Sequence, residues 1–159
     1  MKVEQLMTKG VSTCAPGDTL NEAARIMWER DCGIVPIVED AATRRVVGII
    51  TDRDVCMAVY TRGRPFSQIR IGDVMSTGVA SCRAGAELRE AEQTMRRAQV
   101  HRLPVVDDAN QLLGVISLTD IAREATREGG SQRQEVTPGE IGETLAAIRK
   151  PREIAAVRT

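Results

Sequence analysis

The sequence predicts a mixed α/β (α+β) fold: two β-α-β-β-α repeats related by a pseudo-twofold axis, followed by a C-terminal helix. Three observations predict it. Residues 3–40 align with 71–108 without a gap. Each copy alternates helical-period stretches with short β-branched runs. The residues after 128 leave the repeat and carry a capped helical pattern of their own.

The alignment sets "LMTKGVSTCAPGDTLNEAARIM" against "VMSTGVASCRAGAELREAEQTM", with Met7/Met75, Gly10/Gly78, Cys14/Cys82, Leu20/Leu88 and Met27/Met95 among the identities. Further on "IVPIVED" meets "RLPVVDD", and after a two-residue shortening "RVVGIITDRDV" meets "QLLGVISLTDI". The implied organisation is a first repeat over 1–60, a joining loop over 61–70, a second repeat over 71–128 and a tail over 129–159.

Within each repeat, a short strand near 12–14 leads through the turn signal "APGD" to a helix over 19–30. Leu20, Ala23, Ala24 and Met27 give that helix one apolar face, matched by Leu88, Ala91 and Met95. Two short runs follow, "IVPIV" and "RVVGII", whose length and β-branching favour buried strands. A second helix starts at Thr51 in the first copy and at Ser117 in the second. A unit this small cannot bury both faces of its three-stranded sheet, so the two copies must pair.

In the tail, "EGGSQRQEV" reads as a polar linker. "TPGEIGETLAAIRKP" reads as a helix with Thr137 as N-cap, Pro138 at the first position, Glu140 closing a capping box and Pro151 ending it. Its apolar stripe, Ile141, Leu145 and Ile148, needs a surface on this chain or on a second subunit.

Bulk properties exclude several functions. Lys plus Arg and Asp plus Glu are both 22, and Trp28, Tyr60 and Phe66 are the whole aromatic set, so neither nucleic acid nor an anionic membrane is expected as a partner. The N-terminus has no apolar h-region and no apolar run could span a bilayer, which predicts a cytoplasmic protein. Four cysteines without a C-x-x-C pair, and a single histidine, predict reduced, buried thiols and no metal site.

The pattern Ser/Thr-x-x-Asp/Glu occurs four times, and its plain meaning is a helix capping box. Thr19-x-x-Glu22 and Thr137-x-x-Glu140 need no further explanation. Thr51-x-x-Asp54 and Ser117-x-x-Asp120 differ, because each directly follows a Gly-apolar-apolar strand, each carries the shorter Asp, and the two occupy equivalent places in the duplication. A helix starting at a sheet edge offers free N–H groups and a positive dipole end to a phosphate. One turn on, a carboxylate can accept from both hydroxyls of a ribose.

These residues resemble the ligand signature of the cystathionine-β-synthase (CBS) domain: Gly, two hydrophobics, Thr or Ser, two free positions, then Asp or Asn. The resemblance covers residues 3–125 and includes the "LMT" and "VMS" openings and the "VPIVED" and "LPVVDD" strands. The chain therefore looks like a tandem CBS pair, a Bateman module of the stand-alone bacterial type.

The resemblance implies a regulatory module, not an enzyme. It would bind an adenosine nucleotide (AMP, ADP or ATP, with or without Mg2+) between paired repeats, require no cofactor, and signal energy state allosterically to a target protein. Thr51 and Ser117 would touch phosphate, with Arg53 beside them, and Asp54 and Asp120 would hold ribose. The adenine pocket would be Val11, Thr13, Ile34, Val35 and Pro36 in the first copy, and Val79, Ser81, Leu103 and Pro104 in the second. His101-Arg102 resembles the His-Arg pair that reaches phosphates in the gamma subunit of AMP-activated protein kinase. The first copy has Gly33-Ile34 there, so the two pockets should differ. CBS pairs commonly form disc-like dimers, which makes a homodimer the expectation. A structural or oligomerising module with inactive clefts, or a sensor of S-adenosylmethionine or nicotinamide dinucleotides, are the alternatives.

Overall fold

A computed structural model describes residues 1–127 and 135–149. Most of the polar linker, with Lys150 and Pro151 at the expected end of the tail helix, lies outside the described residues. The first copy contains β1 (Thr8–Lys9), α1 (Leu20–Glu29), β2 (Ile34–Val38), β3 (Val46–Thr51) and α2 (Asp52–Arg62). The second contains β4 (Cys82–Arg83), α3 (Leu88–Ala98), β5 (Arg102–Val106), β6 (Leu112–Ser117) and α4 (Leu118–Arg127), and α5 (Pro138–Ile148) follows. No helix among the described residues is long and apolar enough to cross a membrane.

The helices form where apolar residues recur at helical spacing. α1 buries Leu20, Ala23, Ile26 and Met27, and α3 buries Leu88, Ala91 and Met95. α2 stops at Gly63, whose φ of 59° is the left-handed C-cap conformation that glycine adopts without a Cβ clash; its N–H bonds the Val59 carbonyl at 2.9 Å. The two hairpins, β2-β3 and β5-β6, are antiparallel with matching registers, Ile34 opposite Thr51 and Arg102 opposite Ser117.

The sheets depart from the expected three strands per repeat, because the copies exchange their first segments. β1 leaves its own copy and pairs antiparallel with β6, Thr8 opposite Val115, while Ser76 bridges Ile49 on β3. The expected strand at 12–14 is a single parallel bridge, Cys14 to Ile37; its counterpart β4 pairs with β5 through Cys82 and Val105. The exchange extends to the helix starts, where Leu20 N–H bonds Ile69 O (3.0 Å) and Leu88 N–H bonds Met1 O (3.1 Å).

The crossing gives the glycine of each signature a packing reason. A Cβ on Gly48 would lie 2.5 Å from Met75 Sδ, and one on Gly114 would strike the Thr8 carbonyl. Both positions carry an exchanged segment across the strand.

Three apolar clusters result. Val3 joins Leu88, Met95, Leu103 and Ile116 in the second copy's core, and Ile69 and Ile71 join Leu20, Val35 and Ile50 in the first copy's. Between them Val38 and Val46 meet their equivalents Val106 and Leu112, flanked by Val11 and Val79, so equivalent residues face each other across the pseudo-twofold axis.

α5 packs on α3 and α4 of its own chain. Its buried line is Ile141 and Thr144, with Ile148 packed alongside; Leu145, expected in the stripe, is 42% exposed. The contact selects the 141-144-148 face because the Thr144 hydroxyl donates to the buried carboxylate of Glu92 on α3. The α1–α2 face is open among the described residues, with Trp28 88% and Tyr60 80% exposed.

The cysteines are free thiols that only partly follow the expectation. Cys14 and Cys82 are buried, and desolvation pushes them up to about 12 and about 11. Cys32 is half-buried, however, and Cys56 is exposed because it falls on the outer side of α2.

Candidate functional site

The capping boxes have one geometry. Thr51 N–H and Oγ1–H donate to Asp54 Oδ2 at 2.9 and 2.8 Å, and Asp54 N–H donates to Thr51 Oγ1 at 3.2 Å. Ser117 and Asp120 repeat this at 2.9, 2.6 and 3.1 Å, and Thr137 and Glu140 at 2.7, 2.9 and 3.2 Å. The bonds to Thr137, with Arg89 beside the carboxylate, hold Glu140 below the usual carboxylate range. Thr19 is an N-cap by position without a side-chain cap bond, and Glu22 turns instead to Arg25. Its cap is displaced because the exchanged segment already pairs there, Thr19 bridging Arg70.

Location, not capping geometry, separates a site from a plain cap. Ser117 and Asp120 open onto a cleft of about 420 Å3, a size in the range of small-molecule sites. The cleft is built from both copies: Thr8 to Ser12 and the outward side chains of β2, Ile34 and Pro36, form one wall, and Val115, Ser117 and Asp120 form the other. Among the described residues, the hydrogen bonds to the Asp120 carboxylate fall on Oδ2, which leaves Oδ1 to a ligand hydroxyl.

The structure divides the residues expected for a base pocket. Val11, Ile34 and Pro36 line the cleft. Val35 and Leu103 do not, because strand alternation turns both into the cores of their own copies, where they are fully buried. Thr13 and Ser81 are half-buried at the start of the parallel bridges, Val79 packs on the central cluster, and Pro104 lies opposite Val115.

Thr51 and Asp54 sit at the pseudo-symmetric position on the other side, where Ser76 bridges β3. Arg53 is exposed there, and its N–H donates to Asp52 Oδ1 at 2.7 Å. Asp52 thus places a carboxylate at the start of α2; the matching residue in α4 is Leu118, a buried apolar side chain.

His101 and Arg102 separate. Arg102 lines the cleft, its guanidinium bordering Gly33, where an added Cβ would stand 3.5 Å from Nη1 and 3.0 Å from Asp52 Oδ2. His101 is not among the cleft-lining residues; its carbonyl caps Leu118 N–H at 2.8 Å. Burial, with Arg149 and Arg102 nearby, lowers the imidazole pKa, so it stands neutral at pH 7. Arg45 pairs with Glu39 at 2.8 Å, and Arg44 donates to the Val11 carbonyl at 3.4 Å.

Two charged cleft residues escape the signature: Lys9 and Arg30. With Arg102 they bring three cations to the rim, all exposed, and none forms an ion pair with another described residue. Many other surface arginines are paired, among them Arg25, Arg62, Arg89 and Arg96. The signal in the sequence was the repeat alignment itself, which sets Lys9 against Thr77 and Arg30 against Ala98.

Comparison with known proteins places the geometry in a family. The family model described as CBS domain matches residues 3–61 and 71–127. The CBS domain-containing protein YhcV of Bacillus subtilis is 37% identical over 120 residues, 76% of this chain and 82% of that one. The crystal structure of the CBS domain pair of protein MJ0100, in complex with 5'-methylthioadenosine and S-adenosyl-L-methionine, superposes with a TM-score of 0.70 at 25% identity, covering 83% of this chain and 98% of that one. Protein MJ1225 of Methanocaldococcus jannaschii, described as a proposed archaeal homologue of g-AMPK, gives a TM-score of 0.71 at 25% identity, over 80% of this chain and 51% of that one.

Proposed function

The chain belongs to the CBS-domain family, and from that premise we propose that it is a regulatory module binding an adenosine nucleotide in the cleft between its two repeats. One observation carries the reading: Ser117 and Asp120 of one copy open onto a cavity whose other wall is the aliphatic surface of the opposite copy. The start of α4 and the Ser117 hydroxyl meet phosphate, Asp120 Oδ1 accepts from the ribose hydroxyls, and Val11, Ile34 and Pro36 hold the base. A ligand touching both copies stabilises one placement of the repeats over others, and that difference is what a target protein reads.

Calorimetric titration of the full chain with AMP, ADP, ATP, S-adenosylmethionine and NAD tests the reading. Asp120→Asn keeps an oxygen for the Ser117 cap but removes the charge facing ribose, and it should weaken nucleotide binding about tenfold with little change in melting temperature. Absence of binding by any of these compounds at millimolar concentration would leave a structural module with unused clefts. The methylthioadenosine and S-adenosylmethionine bound by MJ0100 support the second reading, a sensor of S-adenosylmethionine, which the same titration separates.

The open α1–α2 face supports a homodimer. Its equivalent on the second copy is buried under α5, and on the first copy Trp28, Met57, Tyr60 and Phe66 present an apolar surface of the same origin. A second copy, docked about a twofold axis, covers it. Light scattering at the monomer mass for the wild type would remove this part of the proposal.

A further inference from the structure

We infer that the two pseudo-symmetric positions have diverged in charge, so that the cleft at the start of α4 is the one that takes a polyphosphate chain, with Lys9, Arg30 and Arg102 setting that specificity. The inference rests on the nucleotide reading above and adds to it the number of phosphates and the side of the molecule.

Pseudo-symmetry supplies an internal control. The alignment that sets Ser117 against Thr51 and Asp120 against Asp54 also sets Lys9 against Thr77 and Arg30 against Ala98. The hydroxyl and the carboxylate are kept on both sides, whereas all three cations exist on one side only, since Arg102 is set against Ile34. On the opposite side the difference is reinforced: Asp52 holds its carboxylate on the Arg53 N–H at the start of α2, where a phosphate would need that donor, and α4 has Leu118 instead.

The three cations have no ion-pair partner among the described residues, and the cavity lining holds one carboxylate, Asp120, with Asp52 bordering Arg102 across Gly33, so the rim keeps an excess of positive charge. Arg30 and Arg102 each offer a planar fork suited to a phosphate's oxygens, and Lys9 adds a point charge. A monophosphate at the Ser117 hydroxyl needs only the helix start. A di- or triphosphate extends toward the rim, where these side chains stand. The same excess charge disfavours the cationic sulfonium of S-adenosylmethionine on this side.

The experiment is calorimetry on the full chain with ATP, AMP, adenosine and inorganic tripolyphosphate. ATP should bind one site per chain at least about tenfold tighter than AMP. The double variant Lys9→Ala/Arg30→Ala should lose that preference, with AMP affinity changed less than about threefold, and Arg30→Lys should retain part of it. Asp120→Asn should weaken the ATP site and Asp54→Asn should leave it in place. Equal affinity for ATP and AMP, equal losses for both in the double variant, or an ATP site that responds to Asp54→Asn instead, would overturn the inference while leaving nucleotide binding intact. Tripolyphosphate binding as tightly as ATP, with no binding of adenosine, would keep the polyphosphate cleft and remove the nucleotide reading. No binding of ATP or tripolyphosphate would remove both. A thermal melt of each variant shows whether a loss is one of binding or of folding.

Discussion

The two copies keep the same hairpin register, the same signature caps and the same exchanged pairings, yet they present different surfaces. The second copy wears α5 over its helices and turns its signature, Ser117 and Asp120, to the cation-rimmed cleft; the first leaves Trp28 and Tyr60 exposed and carries Asp52 at its helix start. The internal residues that bond the halves together stayed paired, as Val38 with Val106 and Val46 with Leu112 show. Divergence concentrated on the helical faces and the cleft rims, where a change in one copy does not have to be matched in the other.

The helical faces offer the largest expected contrast. Ile141→Asp puts a charge into the second copy's core and should cost at least about 3 kcal/mol in urea denaturation. Trp28→Glu, on the corresponding face of the first copy, should change monomer stability by no more than about 0.5 kcal/mol while abolishing self-association in light scattering. Similar destabilisation by the two would mean that the faces are not differently covered.

The signature glycines give the next largest. Gly114→Ala meets the Thr8 carbonyl, which is backbone and cannot step aside, and should cost about 3 kcal/mol. Gly48→Ala first meets the flexible Met75 thioether and should cost about 1 kcal/mol. Equal costs would show that the two crossings are equally rigid.

The smallest effects come from the caps. Thr51→Ala, Ser117→Ala and Thr137→Ala should each lose about 1 kcal/mol, since each removes the acceptor of an N-terminal N–H. Thr19→Ala should cost no more than a few tenths, because its hydroxyl caps nothing. A loss at Thr19 equal to the others would contradict the displaced cap.

What the sequence made legible follows from length and periodicity. α1 and α3 repeat apolar residues over several turns, and β2, β3, β5 and β6 are runs of β-branched residues between turns, so both types announce themselves. β1 is two exposed residues with no period at all, and its partner lies in the other copy, so neither its existence nor its exchange could be read. Leu145 looked like part of a stripe because hydropathy alone ranks Leu above Thr; the buried bond from Thr144 to Glu92 rotates the helix by a residue. That the Val35 and Leu103 side chains face the cores of their copies is hidden for a similar reason, since a strand buried on both faces shows no alternation to say which side looks at the cleft. Ser117 and Asp120 were legible because a local motif carries them, whereas Lys9 and Arg30 come from separate elements that only the fold brings together.

The exchange of the first segments also bears on how the chain is made. During synthesis Met1 to Lys9 emerge about a hundred residues ahead of their partner strand, β6, which comes near the end of the second copy. The first copy, in turn, waits for Ile69, Ile71 and Ser76 before its own sheet and core can close. Neither half has a finished fold to adopt while the ribosome is still working, so folding should proceed in one late step governed by long-range pairing. A gene fragment encoding either copy alone should yield an insoluble or unfolded product, whereas the two fragments expressed together should rescue each other.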